Sequence, residues 1–259
     1  MTYQQILGTR IRNFRKRAGF SQLALEIEIG SSAGTLSRIE NGEVNPTKET
    51  LQRISDILEL NQREIEYLHG KNFYPASEIE INRAKEEIVD YFKQRGVLAY
   101  MLDERNRLIH VSASFLKILE LDENVMRKNY LKNWASIIID DELDLRRFLS
   151  DKYYENAIYN VIERFHNDIY FMKDDKSYFD TIKSINNNKV AQCIWDKIVD
   201  NPPVYRTNNH RTIHFNFNGI NIPLSYSVEN LMDNRRFEIV EYQHSNSLSR
   251  LLSKFLFKE

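Results

Sequence analysis

Between Ser32 and Arg38 the chain sets out Ser32, Ala33, Gly34, Thr35, Ser37 and Arg38, with Leu36 the one large apolar residue among them. Hydroxyls, small side chains and a single guanidinium suit hydrogen bonding and close approach, not bond breaking. A long donor such as Arg38 can address a guanine edge or a phosphate, and small neighbours allow close approach and methyl contact. Covalent chemistry is poorly provided for elsewhere. No HExxH run offers paired zinc-binding histidines with a glutamate base. Cys193 has no flavin-adduct motif around it and lies on an amphipathic segment, where a thiol packs as a small hydrophobe. His110, His166, His210 and His214 lack metal-ligand spacing, and the last two would be helical neighbours only in a stretch that reads as strand. Ala33-Gly34 lies in the polar segment, not in a linker where a self-cleaving repressor would place its scissile bond. The expectation is no catalytic residue, no metal, no haem and no enzyme.

Two short helices with a tight turn would present these residues. The first should start at Ser21, whose hydroxyl can accept from an orphan helix amide, and Leu25 and Ile29 give it an apolar stripe. Gly30 follows where a left-handed residue ends a helix, and Ser32 is positioned to cap the second. In that second helix Leu36 and Ile39 face inward, which leaves Ala33, Gly34, Ser37 and Arg38 on or near the outer face. Further stripes surround the pair: Tyr3, Ile6, Leu7, Ile11, Phe14 and Ala18; then Leu51, Ile54 and Leu58; then Ile65 and Leu68. Thr47 can cap the fourth helix, and Asn61 with Glu64 reads as a capping box for the fifth.

With SQ at 21–22, LSRIENG at 36–42 and NPTKETL at 45–51, residues 3–69 resemble the Xre family, the phage-repressor-like helix-turn-helix. The resemblance implies five helices around one small core and major-groove reading by Ser32, Ala33, Gly34, Thr35, Ser37 and Arg38. It places Gln22, Asn41 and the helix start after Thr47 where family members hold phosphates. Arg15 and Glu40 match positions that pair between the first and third helices, so Arg15 reads as structural before it reads as a phosphate contact. The basic run of Arg10, Arg12, Arg15, Lys16 and Arg17 becomes a candidate phosphate surface through its nearness to the motif. Glu26 departs from the family, which has a small alanine-like residue there.

A formal net charge of −1 excludes a polybasic nucleic-acid coat, so affinity must come from a local patch used twice: a homodimer on double-stranded DNA with a palindromic operator. One cysteine leaves no disulfide framework, and no apolar run approaches the ~20 residues of a membrane span. The chain enters a charged amphipathic helix at once, without a secretion-type apolar core, and the expected location is cytoplasmic, with no membrane contact.

The expected fold class is multidomain: an all-α five-helix DNA-binding domain at 1–70, a linker and connecting helix at 71–96, and an α+β PAS-like domain with an antiparallel sheet and a C-terminal helix at 97–259. Pro75 marks the break, Ser77 with Glu80 forms a capping box, and Ile81, Ala84, Ile88, Tyr91 and Phe92 stripe the next helix. That helix can pair with its twin or pack on its own C-terminal domain. VLAYML and LIHV read as a hairpin around the charged turn DERNR, followed by a helical SASFLKILEL and mostly helical patterns from 141 to 198. Asn218-Gly219 between HFNF and INIPLSY signals a two-residue hairpin, to which FEIVEYQ adds a third strand. In the closing segment Leu248, Leu251, Leu252, Phe255 and Leu256 share a helical side that should dock on the domain or on a partner subunit.

The opening hairpin, HVSASFLKILEL, RKNYLKNW at 127–134, the helix ending in Trp195 and RTIHFNFNGINIPLSY resemble the MmyB-like ligand-binding domain that follows Xre-type motifs in many bacterial regulators. The resemblance implies a PAS-like pocket for a small apolar ligand such as a fatty acid, with no other cofactor. Tyr100, Phe115, Leu119, Tyr130, Trp134, Phe148, Phe165, Trp195 and Phe215 are candidate lining, or else ordinary core, and Arg127, Lys128 and Asn129 are candidate donors to a ligand carboxylate, or else surface. The competing reading is a repressor or antitoxin-type protein whose C-terminal half only dimerises or captures another protein.

Overall fold

Capping residues set where the helices of the first unit begin. The computed structural model describes residues 2–69, 74–94, 96–140, 151–201, 211–217 and 220–244. They fall into two compact units, Met1–Pro75 with Phe171–Asp175, and Ala76–Tyr170 with Lys176–Glu259. A helical unit is thus followed by an α+β unit.

In unit 1, Thr2 and Gln5 form a capping box that starts α1 (Tyr3–Arg17). Ser21 starts α2 (Gln22–Glu28), Thr47 starts α4 (Lys48–Ile57), and Asn61 with Glu64 starts α5 (Gln62–His69). Between them α3 (Thr35–Glu40) opens on Gly34. Leu7, Ile11, Phe14, Leu25, Ile29, Leu36, Ile39, Ile54, Leu58 and Leu68 are buried together, as the stripes required. The stripes are trimmed at their ends: Tyr3 and Ala18 are exposed, because each lies at a terminus of α1 beyond the neighbouring helices. On α5 the buried set is Glu64, Tyr67 and Leu68, and Ile65 is displaced one position off that face.

The segment Phe171–Asp175 completes unit 1. Phe171 packs its ring on Phe14 and, edge-on, on Tyr67, at centroid separations of 6.2 and 5.3 Å. Asp174 accepts from the Tyr67 hydroxyl at 2.6 Å and from Arg10 Nε at 3.2 Å. The Arg10 guanidinium lies 3.4 Å over the Tyr67 ring and donates to the Tyr67 carbonyl at 2.9 Å. Burial, with Asp174 alongside, holds the Tyr67 hydroxyl protonated far above its usual range despite the charge of Arg10.

Unit 2 is built on a five-stranded antiparallel sheet of order β2-β1-β5-β4-β3, from β1 (Leu98–Asp103), β2 (Leu108–Val111), β3 (Arg211–Phe217), β4 (Ile220–Asn230) and β5 (Phe237–His244). The last strand in sequence lies in the middle, pairing Tyr100 with Val240 on one side and Val228 with Val240 on the other. Phe217 opposite Ile220 leaves two residues for the β3–β4 connection, as an Asn-Gly hairpin needs, although Asn218 and Gly219 themselves lie outside the described residues.

Every residue of β1 is buried because both faces of the sheet are covered. On one face α6 (Glu78–Phe92) lays Ile81, Ala84, Ile88 and Phe92 against Ala99, Met101, Ile109 and Phe237. Of its two expected fates, this helix therefore has packing within its own unit. On the other face Leu98, Tyr100, Leu102, Ile222, Leu224 and Val240 meet the short helices α7 (Ala113–Ile118), α8 (Glu123–Arg127) and α9 (Trp134–Ile139). Longer helices α10 (Asp151–Ile169), α11 (Lys176–Asn187) and α12 (Lys189–Ile198) follow, joined by stacking of Phe165 on Tyr178 and contact with Trp195.

The charged DERNR turn is not a solvated tip: Asp103, Arg105 and Asn106 are buried. Asp103 accepts from the amides of Arg105 and Arg107 at 3.0 and 2.9 Å and from Arg107 Nε at 2.6 Å, and Arg236 bridges Glu80 and Glu104. Among the described residues no helix is long and apolar enough to cross a membrane. The expected C-terminal apolar helix with Leu248, Leu251, Leu252, Phe255 and Leu256 lies outside the described residues.

Candidate nucleic-acid interface

The polar segment singled out in the sequence folds as a turn followed by α3. Gly30, at φ +66°, ends α2 in the left-handed region, where glycine carries no Cβ penalty. The helix then starts later than its sequence suggests. Ser32 does not cap it: the Ser32 hydroxyl pairs with the Thr35 hydroxyl at 2.9 Å, the N-cap is Gly34 at φ +80°, and no side chain at that position bonds the helix amides. The physical reason is the short spacing forced by Gly34, which carries the chain through a left-handed turn before helical dihedrals begin. An acceptor comes instead from α2, where Glu26 Oε1 receives the Leu36 amide at 2.8 Å.

Three features fix the far side of α3 to α1. Leu36 and Ile39 are buried in the core of the unit. Gly8, inside α1, allows backbone contact, because a Cβ there would sit 2.4 Å from the Ile39 carbonyl oxygen and 2.6 Å from that of Glu40. Glu40, 2 % exposed, then gathers donors from two helices. It accepts from Arg15 Nε and Nη2 at 2.6 and 3.0 Å, from Arg12 Nε at 3.2 Å and from Gln22 Nε2 at 2.8 Å. Burial pushes the Glu40 carboxyl up, but the hydrogen bonds from Arg15 and Gln22 and the Arg15 charge outweigh it and hold the group below the usual carboxylate range.

This clamp leaves one side of α3 exposed. Ser32, Ala33, Gly34 and Arg38 are exposed and Thr35 and Ser37 half-buried, and the Arg38 guanidinium makes no hydrogen bond or ion pair among the described residues. A cation with no partner of its own, beside hydroxyls and small side chains, can approach base edges and phosphates alike. The flanking candidates are more committed. Gln22 bonds Glu40, Asn41 Oδ1 accepts from Arg12 Nη2 at 2.8 Å, and the Thr47 hydroxyl accepts from the Thr50 amide at 3.1 Å. Thr47 and Asn41 remain exposed at the surface.

The basic run of α1 is largely engaged within its own unit. Arg10 and Arg15 are buried, Arg12 and Arg15 pair with Glu40, and Arg17 pairs with Glu64, which leaves Lys16 as the exposed charge without an ion pair among the described residues. Arg15 also donates from Nη1 to the Phe20 carbonyl at 2.8 Å, and its pairing with Glu40, read from the sequence, is present. Sequence reasoning passed over Gly8, took Arg12 only as a member of the basic run, and took Glu26 only as a departure from the family. A glycine in a helix interior was the available signal for the first.

The residues considered as ligand lining separate into groups. Tyr100, Phe115, Leu119 and Trp134 belong to the buried inner face of the sheet, where Tyr100 stacks on Trp134 at 4.1 Å and meets Phe115 at 5.6 Å. Burial holds the Tyr100 hydroxyl well above its usual range. Phe165 and Trp195 lie among α10, α11 and α12. A cleft bordered by Leu102, Asn106, Trp134, Arg164 and Phe165 admits little more than a water molecule. Tyr130 is half-buried with Lys85 Nζ 5.1 Å from its ring, Asn129 is buried and accepts from Lys132, and Arg127 and Lys128 are exposed, with Arg127 paired to Glu123. Phe148 lies outside the described residues, as does the side chain of Phe215. No group of His, Cys, Asp and Glu among the described residues is arranged to hold a metal.

No curated protein sequence matches the chain. Residues 6–68 match the family model of the helix-turn-helix domain, a span that runs from within α1 into α5 and contains α3.

Proposed function

We propose that the protein is a sequence-specific, homodimeric transcriptional regulator of the Xre type that reads a palindromic operator with Ser32, Ala33, Gly34, Thr35, Ser37 and Arg38. The observation that carries this reading is the exposed Arg38 on a short helix whose opposite side is clamped by Leu36, Ile39 and Glu40. Gln22, Asn41 and the α4 start at Thr47 supply phosphate contacts around it, and Gln22 and Asn41 do so as members of the Glu40 network that orients them. Near-neutral overall charge makes two copies of this patch the natural source of affinity.

Unit 2 acts in this proposal as a PAS-like sensor of a small apolar ligand. The strand order, with the last strand central, and the aromatic inner face with buried hydroxyls at Tyr100 and Tyr242 support it. The ring stacking of Tyr100 on Trp134 favours a second reading, in which this core is simply filled and unit 2 serves dimerisation or protein contact. Native mass spectrometry after mild purification separates them: a co-purifying lipid supports the sensor, and a ligand-free chain with a rigid core supports the second reading.

The DNA assignment is tested with Arg38→Ala. Binding to duplex enriched from a random library, compared with random duplex, should lose roughly 10- to 100-fold in discrimination, the ~1–3 kcal/mol of a specific base contact. Unchanged discrimination removes Arg38 as a reader.

A further inference from the structure

Helices of six residues do not hold their own direction, since isolated helices are marginal below about 12–15 residues. The direction of α3, and with it the aim of Ser37 and Arg38, is therefore set by what grips its two ends. The C-terminal end is gripped by the Glu40 network described above. At the N-terminal end Gly34 has no side chain to offer, and the Ser32 hydroxyl is engaged with Thr35. What remains is Glu26. The residue is 5 % exposed, and its carboxylate accepts from the Leu36 amide. Its backbone carbonyl also accepts from the Ser31 amide at 3.0 Å, so one residue of α2 ties both the exit into the turn and the entry into α3. A negative group at this end also complements the helix dipole.

We propose that Glu26 is a positioning residue for base reading: from α2 it supplies the cap that α3 lacks, and it sets the angle at which Ser37 and Arg38 meet the groove. The proposal rests on the DNA-reading function above and adds a residue that touches no DNA itself. It also explains how a charged side chain is accommodated where the helix-turn-helix resemblance has a small one.

The test uses the full chain with Glu26→Gln, which keeps an Oε1 acceptor, Glu26→Ala, which removes it, and Glu26→Met, which removes it while keeping the volume. Each is titrated against enriched and random duplex over a range of salt, with a thermal melt to verify folding. Ala and Met are expected to lower enriched-over-random discrimination by about tenfold, the size of a misplaced base contact, with random-duplex affinity and salt slope within twofold of the unsubstituted protein. Gln should stay within twofold throughout. Where Ala unfolds the unit, Met carries the comparison. Discrimination retained by both Ala and Met overturns the role of Glu26, as does an equal loss in Gln. An unsubstituted protein without preference for any enriched duplex overturns the DNA-reading assignment first, and the two failures are thereby distinguished.

Discussion

Gly8 and Glu40 show how single residues decide the placement of α3. Alanine is favoured over glycine in a helix interior by about 0.8–1.0 kcal/mol, so Gly8→Ala would stabilise α1 in isolation. Here the added Cβ meets backbone oxygens of Ile39 and Glu40, which belong to another helix and cannot rotate away. Overpacking of this kind costs about 1–3 kcal/mol, and we expect it to win, giving net destabilisation of up to about 2 kcal/mol in urea unfolding. At Glu40 the sign follows from its lowered pKa. The pairing contributes stability above the ordinary glutamate range near pH 4.3, and that contribution disappears as pH falls through the lower value of the folded state. Glu40→Gln should flatten the acid limb of the stability curve and, by leaving Arg15 buried without its partner, cost about 3–5 kcal/mol at neutral pH. A pH series of denaturant melts measures both.

Among the elements, those whose ends carry side-chain acceptors were the legible ones. Ser21, Thr47, Ser77 with Glu80, and Asn61 with Glu64 all cap the helices their spacing predicts. The start of α3 was misread because its cap comes from Glu26, ten residues earlier and on another helix, and local spacing holds no record of such a bond. The DERNR turn was legible as a turn and illegible as a buried one, since its burial depends on Asn133, Asp168 and Arg236 from distant segments. Ser112 is a junction of the same nonlocal kind: its hydroxyl donates to Val97 O at 2.7 Å and accepts from the Ala99 amide at 3.1 Å and the Phe115 amide at 3.3 Å. Ser112→Ala leaves these groups of Val97, β1 and α7 without it, and should lower stability by about 1–3 kcal/mol in a thermal melt, the cost of orphaned buried polar groups.

Over the whole molecule, the division into a helical unit and a sheet-bearing unit follows the change in periodicity near Pro75, while the membership of Phe171–Asp175 in unit 1 had no sequence signal at all. Within that unit Asp174 holds the Tyr67 hydroxyl and Arg10, so Asp174→Ala should destabilise unit 1 by about 1–3 kcal/mol, read as faster amide exchange in α1 and α5. The central claim concerns the exposed side of α3, and it is tested by titrating the full chain onto an enriched palindromic duplex and a random one at several salt concentrations. The account predicts binding at least about a thousandfold tighter to the enriched duplex, with affinity falling linearly on log-log axes as salt rises. Equal affinity for the two duplexes, or no binding to either at low salt, would contradict it.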